Sequence, residues 1–308
     1  MFFIVLIPVC IAFFFYLLLQ FVLFAYGTFF KRGERLERFK PKNGLAWSLV
    51  TGASDGIGLA YAHRLAAAGF NILMHGRNAQ KLQNCIDDLK SIYPSAQFVP
   101  VIADAKDVSA GNVRKLVDAV ADKQLCILVN NVGIAQNQKM VTLEKLQAAD
   151  IQDTILVNCV FTTLVTHALL PKLTNKAHRC AIINIGSIVG FAVMPAFSVY
   201  AATKAYLHSF SNTLSAELVG QNVDVLCVSP GYTQSNMTKE KASMLVSTAE
   251  SVAQHSLNRI GSVDIVPGII AGVAYCSIAL SNLVPVTLLP WIMNFGSRLA
   301  PRPRAFAQ

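Results

Sequence analysis

The sequence is poor in charge and lacks the hallmarks of disordered, collagen-like or disulfide-stapled chains. Charged residues make up 14% of its 308 residues and hydrophobic residues 54%, with no low-complexity tract or internal repeat. The seven cysteines occur singly, without C-x-x-C spacing and without a histidine at metal-ligand spacing. We interpret them as small buried residues in a reducing compartment, and no metal site is expected.

Acidic and basic residues are absent from residues 1–30, where an apolar run extends from Phe2 to Phe30. A bilayer span takes about 20 apolar residues, so this run is long enough to cross one. The alternative is a secretory signal peptide. Its apolar region is usually only about 7–15 residues long, follows a basic residue and precedes a small-x-small cleavage site. Because these features are missing, residues 1–30 are predicted to form an uncleaved transmembrane helix.

Basic residues are concentrated in two flanks. Of the formal net charge of +9, residues 31–42 contribute +4 and residues 298–304 contribute +3, which leaves +2 for residues 43–297. So small a net charge on residues 43–297, the body of the protein, argues against nucleic acid as a partner. Basic residues beside an apolar segment stay on the cytoplasmic side and attract anionic headgroups, so the body is predicted to face the cytosol.

Past residue 42 the chain alternates short apolar runs with longer amphipathic segments, a pattern typical of a doubly wound parallel sheet. Most runs are apolar at consecutive positions, as expected for strands covered by helices on both faces. The seven predicted strands are Trp47–Thr51, Asn71–His75, Phe98–Ala103, Cys126–Val129, Ala181–Ile185, Val223–Val228 and Val263–Val266. We expect a Rossmann-type α/β domain over residues 44–280, a basic juxtamembrane linker over 31–43, and an apolar, then basic, tail over 281–308.

A second uncharged stretch runs from Ile265 to Ser297. Three prolines, Pro267, Pro285 and Pro290, divide it into pieces too short for one continuous helix. The favoured prediction is a last strand followed by helices that pack on the body and touch the bilayer. A true second span is the alternative, and the sequence does not decide between the two.

A glycine-rich turn, TGASDGIG at residues 51–58, joins the first predicted strand to the first predicted helix. Such turns let the backbone approach a pyrophosphate, whose charge then meets free N–H groups at the helix N-terminus. An ordinary tight turn would also contain glycines, but the position within a βαβ unit favours a dinucleotide site. The predicted contacts are Gly52, Ser54, Asp55, Gly56, Ile57 and Gly58.

The residue after the second predicted strand indicates which dinucleotide is bound. A carboxylate there would hold the ribose 2′-hydroxyl of NAD, whereas an arginine accommodates the 2′-phosphate of NADP. The strand ends in His75-Gly76-Arg77-Asn78, without an acid. NADP(H) is therefore the predicted cofactor, with Arg77 as a solvated loop residue the alternative.

Tyr200 and Lys204 are four residues apart and so share one face of a predicted helix. A surface pair would show the same spacing. However, Ser187 closes the fifth predicted strand thirteen residues upstream of Tyr200, and α/β folds carry their sites at the carboxyl ends of parallel strands. The three residues are predicted to meet in one catalytic site.

Five separated motifs occur in the order and spacing of the classical short-chain dehydrogenase/reductases, which the chain resembles over about residues 44–280. They are TGASDGIG, Asn130-Asn131-Val132-Gly133, Ser187, YAATK and Pro230-Gly231. The resemblance implies that Tyr200 delivers a proton to a carbonyl oxygen while NADPH gives hydride to the carbon. Lys204 would lower the pKa of Tyr200 and hold the nicotinamide ribose. Ser187 would hydrogen-bond the substrate oxygen.

The resemblance implies further roles. Asn158 matches a helical asparagine that holds a water in the proton relay, and Asp104 matches the adenine contact. After the Pro-Gly pair, Thr233 and Ser235 stand where the family usually has Val and Thr, so either hydroxyl is a candidate to bind the nicotinamide carboxamide. The other residues expected to line the cofactor cleft are Asn131, Gly133, Pro230 and Gly231.

Within the superfamily, the NNVG motif, the Gly76-Arg77-Asn78 turn and the apolar N-terminus resemble the branch of very-long-chain 3-oxoacyl-CoA reductases and 17β-hydroxysteroid dehydrogenases types 3 and 12. The expected function is a membrane-anchored, NADPH-dependent reductase of a lipophilic ketone, with 3-oxoacyl-CoA of fatty-acid elongation as the first choice. A hydroxysteroid or retinoid dehydrogenase is one alternative. A catalytically silent, nucleotide-binding scaffold at a lipid surface is another.

The same branch resemblance sets expectations for surroundings and partners. The endoplasmic reticulum membrane is the expected location in a eukaryotic cell, with the catalytic domain in the cytosol. Membrane lipids and a lipophilic carbonyl substrate are the expected partners, and a homodimer is left open. Three polar residues are candidate substrate contacts: Gln136, Asn137 and Gln138.

Overall fold

The computed structural model describes residues 33–135, 141–174, 176–234, 246–262 and 264–265, and ten positions between residues 8 and 26. Seven parallel strands form one sheet in the order β3-β2-β1-β4-β5-β6-β7. The strands are β1 (Ala46–Val50), β2 (Asn71–Gly76), β3 (Phe98–Ile102), β4 (Gln124–Asn130), β5 (Cys180–Ile185), β6 (Val223–Val228) and β7 (Asp264–Ile265). The predicted doubly wound parallel sheet is confirmed, and its strand ends agree with the prediction within two residues.

Helices connect the strands. They are α1 (Gly56–Ala67), α2 (Ala79–Ile92), α3 (Ala110–Ala119), α4 (Ala148–Ile155), α5 (Thr162–Leu173), α6 (Ser198–Glu217) and α7 (Ala249–Leu257). A π-helical turn, Leu156–Phe161, joins α4 to α5, and 3-10 helices cover Leu36–Phe39, Leu143–Lys145 and Ile188–Phe191. Side-chain caps fix where several helices begin, because an Asn or Ser oxygen accepts an otherwise unpaired backbone N–H. Asn78 caps α2 and Ser109 caps α3 in this way.

The core lies on both faces of the sheet. Successive residues of β1 alternate between two clusters: Ala46 and Val50 pack on one face, and Trp47 and Leu49 pack on the other. All five residues of β1 are buried. Side chains of a strand point to opposite faces in turn, so a strand covered on both sides must be apolar at consecutive positions. This is the physical reason the strands were readable from the sequence.

The order of the sheet reverses around β1. The chain moves outward from β1 through β2 to β3 and then returns to the other side of β1 as β4. In such sheets the loops that follow the two central strands diverge, which leaves a crevice at their carboxyl ends. The glycine-rich turn after β1 and the NNVG segment after β4 border this crevice.

The chain from residue 33 is bonded to the end of the sheet at which the parallel strands begin. We call this end the amino edge, and it lies opposite the crevice. The Gly33 amide donates to the Asn258 carbonyl at 2.9 Å. Arg179, just before β5, pairs with Glu34 at 3.1 Å and with Asp224 of β6 at 2.7 Å. Residues 33 and 34 are therefore bonded to groups at the amino ends of β5, β6 and β7.

One helical stretch among the described residues, Ala148–Leu173, is long and apolar enough to cross a membrane. It belongs to the core, because Phe161, Val165 and Leu169 are fully buried against the sheet. The ten described positions before residue 27 are helical and exposed, and the transmembrane anchor over residues 1–30 stays a prediction. Four predicted features lie outside the described residues: the stretch from 266 to 297, Gln136–Gln138, Ser235 and the tail over 281–308.

Candidate active site

A cleft of about 270 Å³ opens at the carboxyl ends of the central strands. It brings together most of the residues predicted for the site, together with three that the sequence analysis did not single out: Val132, Ile185 and Gly186. The predicted residues in its lining are Gly52, Asp55, Gly56, Ile57, Asn131, Gly133, Ser187, Tyr200, Lys204, Pro230, Gly231 and Thr233. Ser54, Gly58, Arg77, Asp104 and Asn158 lie outside this lining.

The glycine-rich turn fits a dinucleotide pyrophosphate. Gly52 has a φ of +65°, which side chains other than glycine rarely adopt. A Cβ at Gly58 would stand 2.2 Å from the Gly52 carbonyl oxygen, so only glycine allows α1 to start this close to the turn. The N-terminus of α1 therefore faces the cleft at backbone distance, the arrangement that binds phosphate through N–H groups.

The NNVG segment holds the turn in place. The Asn131 side-chain amide donates to the carbonyls of Thr51 and Gly52 at 2.9 and 3.1 Å. In return the Thr51 hydroxyl accepts the backbone N–H groups of Asn131 and Val132 at 2.9 and 3.1 Å. Asn131 thus lines the cleft and also braces its phosphate loop.

His75 also holds the turn in place, although its position in the sequence marks it only as the end of a strand. Its Nδ1 accepts the Gly52 amide at 3.3 Å, and its Nε2–H donates to the Ala103 carbonyl at 3.1 Å. The ring also stacks on Phe161. Burial lowers the pKa of His75 to about 4, so the imidazole stays neutral and keeps the tautomer that both hydrogen bonds require.

The residues expected to bind the adenosine part of the cofactor lie, like the cleft, at the carboxyl ends of the strands. Arg77 is exposed directly after β2, and Asp104 is exposed after β3. Ser54 packs against the end of β2, where its Oγ would lie 3.8 Å from a Cβ on Gly76. Asp55 caps α1 by accepting the Gly56 amide at 2.7 Å, and it also pairs with Lys81 of α2 at 2.9 Å. Arg77 is therefore available to a phosphate at the end of β2.

The structure brings Ser187, Tyr200 and Lys204 together as predicted. Ser187 follows β5 and caps the Ile188–Phe191 turn, and its side chain hydrogen-bonds Tyr200. Tyr200 lies in the first turn of α6 and Lys204 one turn later. The Lys204 ammonium donates to the Ile185 carbonyl at 2.8 Å and lies 5.6 Å from the centre of the Tyr200 ring.

The expectation that the pKa of Tyr200 lies below its ordinary value is wrong for the protein alone. Burial raises the pKa of Tyr200 to about 12, with the Ser187 hydrogen bond acting in the opposite direction. Burial also lowers the pKa of Lys204 to about 8. Burial dominates because both groups lose water, whereas the ammonium lies over the ring and donates to a backbone carbonyl. Tyr200 therefore keeps its proton at neutral pH, as a general acid must.

This shift predicts an alkaline limit on cofactor use. The value of kcat/KM for NADPH reports ionisations of the free protein, and above about pH 8 Lys204 loses the charge that attracts an anionic cofactor. We expect kcat/KM to fall through one ionisation near this pH in steady-state assays at saturating ketone. A flat profile through about pH 9.5 would contradict the role of Lys204 as a cation in the cleft.

Asn158 lies in the π-helical turn and connects two walls of the site. Its amide donates to the Ile134 carbonyl at 2.9 Å and to the Thr203 hydroxyl at 3.0 Å, and its Oδ1 accepts the Ile134 amide at 2.8 Å. The side chain therefore ties the end of the NNVG segment to α6. Its role in a water-mediated proton relay stays a prediction. Such π-turns often occur at functional sites.

The Pro230-Gly231 loop closes the cleft on the side of β6. The Pro230 carbonyl accepts the Ile188 amide at 3.2 Å, which links this loop to the one that carries Ser187. Thr233 is buried, and its hydroxyl donates to the Gly231 carbonyl at 3.1 Å. Of the two hydroxyls considered for the carboxamide, Thr233 is the one that the structure describes and places in the cleft lining.

His208 is a residue that the sequence analysis missed. It lies on α6 one turn beyond Lys204 and is buried. Its Nε2 is 3.1 Å from the Ser229 hydroxyl and 3.4 Å from the Ser187 carbonyl, and Phe191 packs on its ring. Because a carbonyl only accepts, Nε2 carries the proton. His208 thus joins the two loops that contain Ser187 and Pro230 to the helix that carries Tyr200.

Replacement of His208 tests this positioning role. We expect His208→Ala to lower kcat roughly tenfold, because Ser187 loses a fixed angle to Tyr200, while the Kd of NADPH stays within about twofold. His208→Gln keeps a donor near the position of Nε2 and should recover most of kcat. Stopped-flow or steady-state kinetics with NADPH fluorescence titration measures both quantities. Equal activity of wild type and His208→Ala, or no recovery in the glutamine variant, would contradict the role.

Comparison with known proteins agrees with this geometry. The family model described as short chain dehydrogenase matches residues 46–245, which is more than half of the chain. The chain is similar to the very-long-chain 3-oxoacyl-CoA reductase of Coccidioides immitis, with 32% identity over 244 residues that cover 79% of this chain and 69% of that protein. The protein of the same name from Schizosaccharomyces pombe is 31% identical over 250 residues, covering 79% and 72%.

Among solved structures, a short chain dehydrogenase from Burkholderia cenocepacia in complex with NADP superimposes with a TM-score of 0.63 at 27% identity. The match covers 73% of this chain and 96% of that one. The family match over residues 46–245 includes β1 to β6 and all residues that line the cleft, and the residues before the first strand lie outside it.

Proposed function

The chain belongs to the short-chain dehydrogenase family, and we propose that it reduces a 3-oxoacyl-CoA to a 3-hydroxyacyl-CoA with NADPH. The observation that carries the proposal is the Ser187, Tyr200 and Lys204 set in one cleft beside a glycine-rich nucleotide turn. Relatives named very-long-chain 3-oxoacyl-CoA reductase support the substrate class. The reaction we propose is a step of fatty-acid elongation.

The residues of the cleft fit NADP(H). The glycine cradle and the N-terminus of α1 suit the pyrophosphate, and Arg77 at the end of β2 suits a 2′-phosphate where no carboxylate competes for the ribose. The family neighbour bound to NADP supports this choice. When bound, the dinucleotide supplies the hydride that reduces the carbonyl carbon. Lys204 would hold the nicotinamide ribose, and Thr233 the carboxamide.

The side chains of the chain itself manage the proton and the geometry. Ser187 donates a hydrogen bond to the substrate carbonyl oxygen and fixes its distance from Tyr200. Tyr200, protonated at neutral pH, transfers its proton to that oxygen as negative charge develops there. The positive charge of Lys204 stabilises the phenolate that remains. The raised pKa of Tyr200 keeps the phenol protonated at neutral pH, which is the form a general acid needs.

A substrate panel tests this function. The purified full chain is assayed with NADPH and 3-oxoacyl-CoA thioesters of increasing length, with 17-ketosteroids and retinal as competitors. We expect kcat/KM for long-chain 3-oxoacyl-CoA to exceed that for the steroid ketones by at least about tenfold. Preference for a steroid or retinoid would support a hydroxysteroid or retinoid dehydrogenase instead. Tight NADPH binding without turnover of any ketone would support a silent scaffold.

We further propose that residues 1–30 anchor the protein in a membrane with its catalytic domain in the cytosol. The uncharged run over residues 2–30 and the basic segment that follows it support the anchor and its orientation. In a eukaryotic cell the membrane is that of the endoplasmic reticulum. Retention in membranes after alkaline carbonate extraction tests the anchor, and release into the supernatant would contradict it. Measurement of the protein's molar mass in detergent tests whether it forms a homodimer.

Cofactor preference should depend on Arg77. Its guanidinium pairs with a dianionic phosphate in a charge-assisted contact worth about 1.5–3 kcal/mol. We expect Arg77→Ala to weaken NADPH binding roughly ten- to a hundredfold and to leave NADH nearly unchanged. Fluorescence titration with both cofactors measures the effect, with Lys90→Ala on the exposed face of α2 as the control. Equal losses for NADPH and NADH would contradict the assignment.

A further inference from the structure

A groove of about 450 Å³ lies at the amino edge of the sheet, opposite the active-site cleft. It opens where β1, β4 and β5 begin. Its lining contains two lysines, one histidine and two amide side chains, and no acidic residue. The lining residues are Pro41, Lys42, Asn43, Gln124, Lys176, Ala177 and His178.

The two lysines of this groove lack the acidic partner that three other lysines of the described residues have. Lys81, Lys106 and Lys123 each pair with an aspartate. Within the described part of the chain, neither Lys42 nor Lys176 forms an ion pair. Two uncompensated positive charges in one cavity, beside amide N–H donors, make a site for an anion such as a phosphate monoester or diester.

The position of the chain entry relates this groove to the bilayer. Gly33 and Glu34 are bonded at the same amino edge, to Asn258, Ile260 and Arg179. Only residues 31 and 32 separate Gly33 from the end of the proposed anchor at residue 30. Three Cα steps reach at most about 11 Å, and the headgroup layer on each side of a bilayer is about 5–8 Å thick. The amino edge therefore has to lie at the headgroups if residues 1–30 span the membrane.

Leu45 adds an apolar element to this edge. It precedes β1, next to the Pro41–Asn43 wall of the groove, and 54% of it is exposed. An exposed apolar side chain beside basic residues is the composition that binds a membrane interface, where the apolar part enters the acyl boundary and the cations meet anionic headgroups.

We propose that the amino edge of the sheet is a docking surface for an anionic bilayer, with the phosphate of a lipid headgroup held between Lys42 and Lys176. The proposal rests on the anchor proposed above. It orients the molecule so that the cleft, at the other end of strands about 20 Å long, opens toward the cytosol. The substrate then enters the cleft from the aqueous side, as a thioester with a charged CoA moiety does.

The experiment uses the full chain reconstituted in nanodiscs of phosphatidylcholine alone or with phosphatidylserine. A photo-crosslinking p-benzoylphenylalanine replaces Leu45 at the amino edge or, as the control, Tyr232, which is 57% exposed in the loop beside the cleft. We expect lipid crosslinks from position 45 at least about fivefold above those from position 232, and more in the anionic discs. The double variant Lys42→Glu/Lys176→Glu should lose this anionic preference. The matched double variant Lys90→Glu/Lys115→Glu, on the exposed faces of α2 and α3, should keep it.

Other results would overturn the proposal. Lipid crosslinks from position 232 that equal those from position 45 would mean that the cleft edge faces the bilayer. An unchanged anionic preference in Lys42→Glu/Lys176→Glu would remove the headgroup site. Competition by inorganic phosphate at millimolar concentration would mean that the groove holds a soluble phosphate. Carbonate extraction separates the two proposals: retention without crosslinks at position 45 rejects the docking surface alone, and release rejects the anchor and the docking surface together.

Discussion

Tyr200→Phe is expected to abolish ketone reduction while the Kd of NADPH stays close to that of the wild type. In the proposed mechanism the phenol gives its proton to the substrate oxygen, and loss of a general acid costs roughly 10²–10⁴-fold. The phenylalanine ring keeps the packing on Phe197 and the place of the ring under Lys204. Single-turnover and steady-state kinetics with a purified 3-oxoacyl-CoA measure the loss, and NADPH fluorescence measures binding.

Ser187→Ala provides the graded control for this variant. It removes one hydrogen bond to the oxygen but no proton, so kcat should fall by about 10²–10³-fold, as for a single oxyanion-hole donor, with little change in NADPH binding. If Tyr200→Phe kept more than a few per cent of the wild-type rate, Tyr200 would not be the proton donor. The fold and the cofactor site would be unaffected by that result.

Gly58→Ala should remove dinucleotide binding through geometry alone. The added Cβ would lie 2.2 Å from the Gly52 carbonyl oxygen and 2.5 Å from the Asn131 side-chain nitrogen. Neither contact is possible, so α1 or the phosphate turn has to move. Overpacking of this kind costs about 1–3 kcal/mol of unfolding free energy and occasionally more. Thermal unfolding with and without NADPH measures the loss, and we expect NADPH to give no upward shift in this variant.

Gly111→Ala is the matched control, because it makes the same chemical change in a helix. A Cβ at Gly111 would meet nothing within 4 Å. Alanine is favoured over glycine in helices by about 1 kcal/mol, so this variant should be as stable as the wild type or more stable. A Gly58→Ala protein that bound NADPH normally would contradict the close approach of α1 to the turn.

The parts of the molecule that sequence reasoning predicted are those governed by local rules. The strands were readable because each needs apolar residues at successive positions, and the phosphate turn because only glycine permits the contact at Gly58. Tyr200 and Lys204 were readable as a pair because four residues make about one helical turn, and Ser187 because α/β folds carry their sites at the carboxyl ends of parallel strands.

Other features depend on contacts between distant parts of the chain. His75 and His208 brace the cleft, yet no local pattern around either residue marks it as part of a site. Each acts through partners on other elements, such as Gly52 for His75 and Ser229 for His208. The pKa of Tyr200 was predicted in the wrong direction because the sequence showed the nearby lysine but not the depth of burial.

The low pKa of Lys204 couples cofactor binding to proton uptake. Near pH 8 about half of the Lys204 side chains in the cofactor-free protein are neutral. A dinucleotide carries negative charge into the cleft and favours the ammonium, so each binding event draws a fraction of a proton from solution. The heat measured by calorimetry would therefore include the ionisation enthalpy of the buffer and differ between buffers at the same pH. A modest rise in pH would therefore weaken cofactor binding. The cofactor-saturated protein would hold more protons on average than the free protein at the same pH.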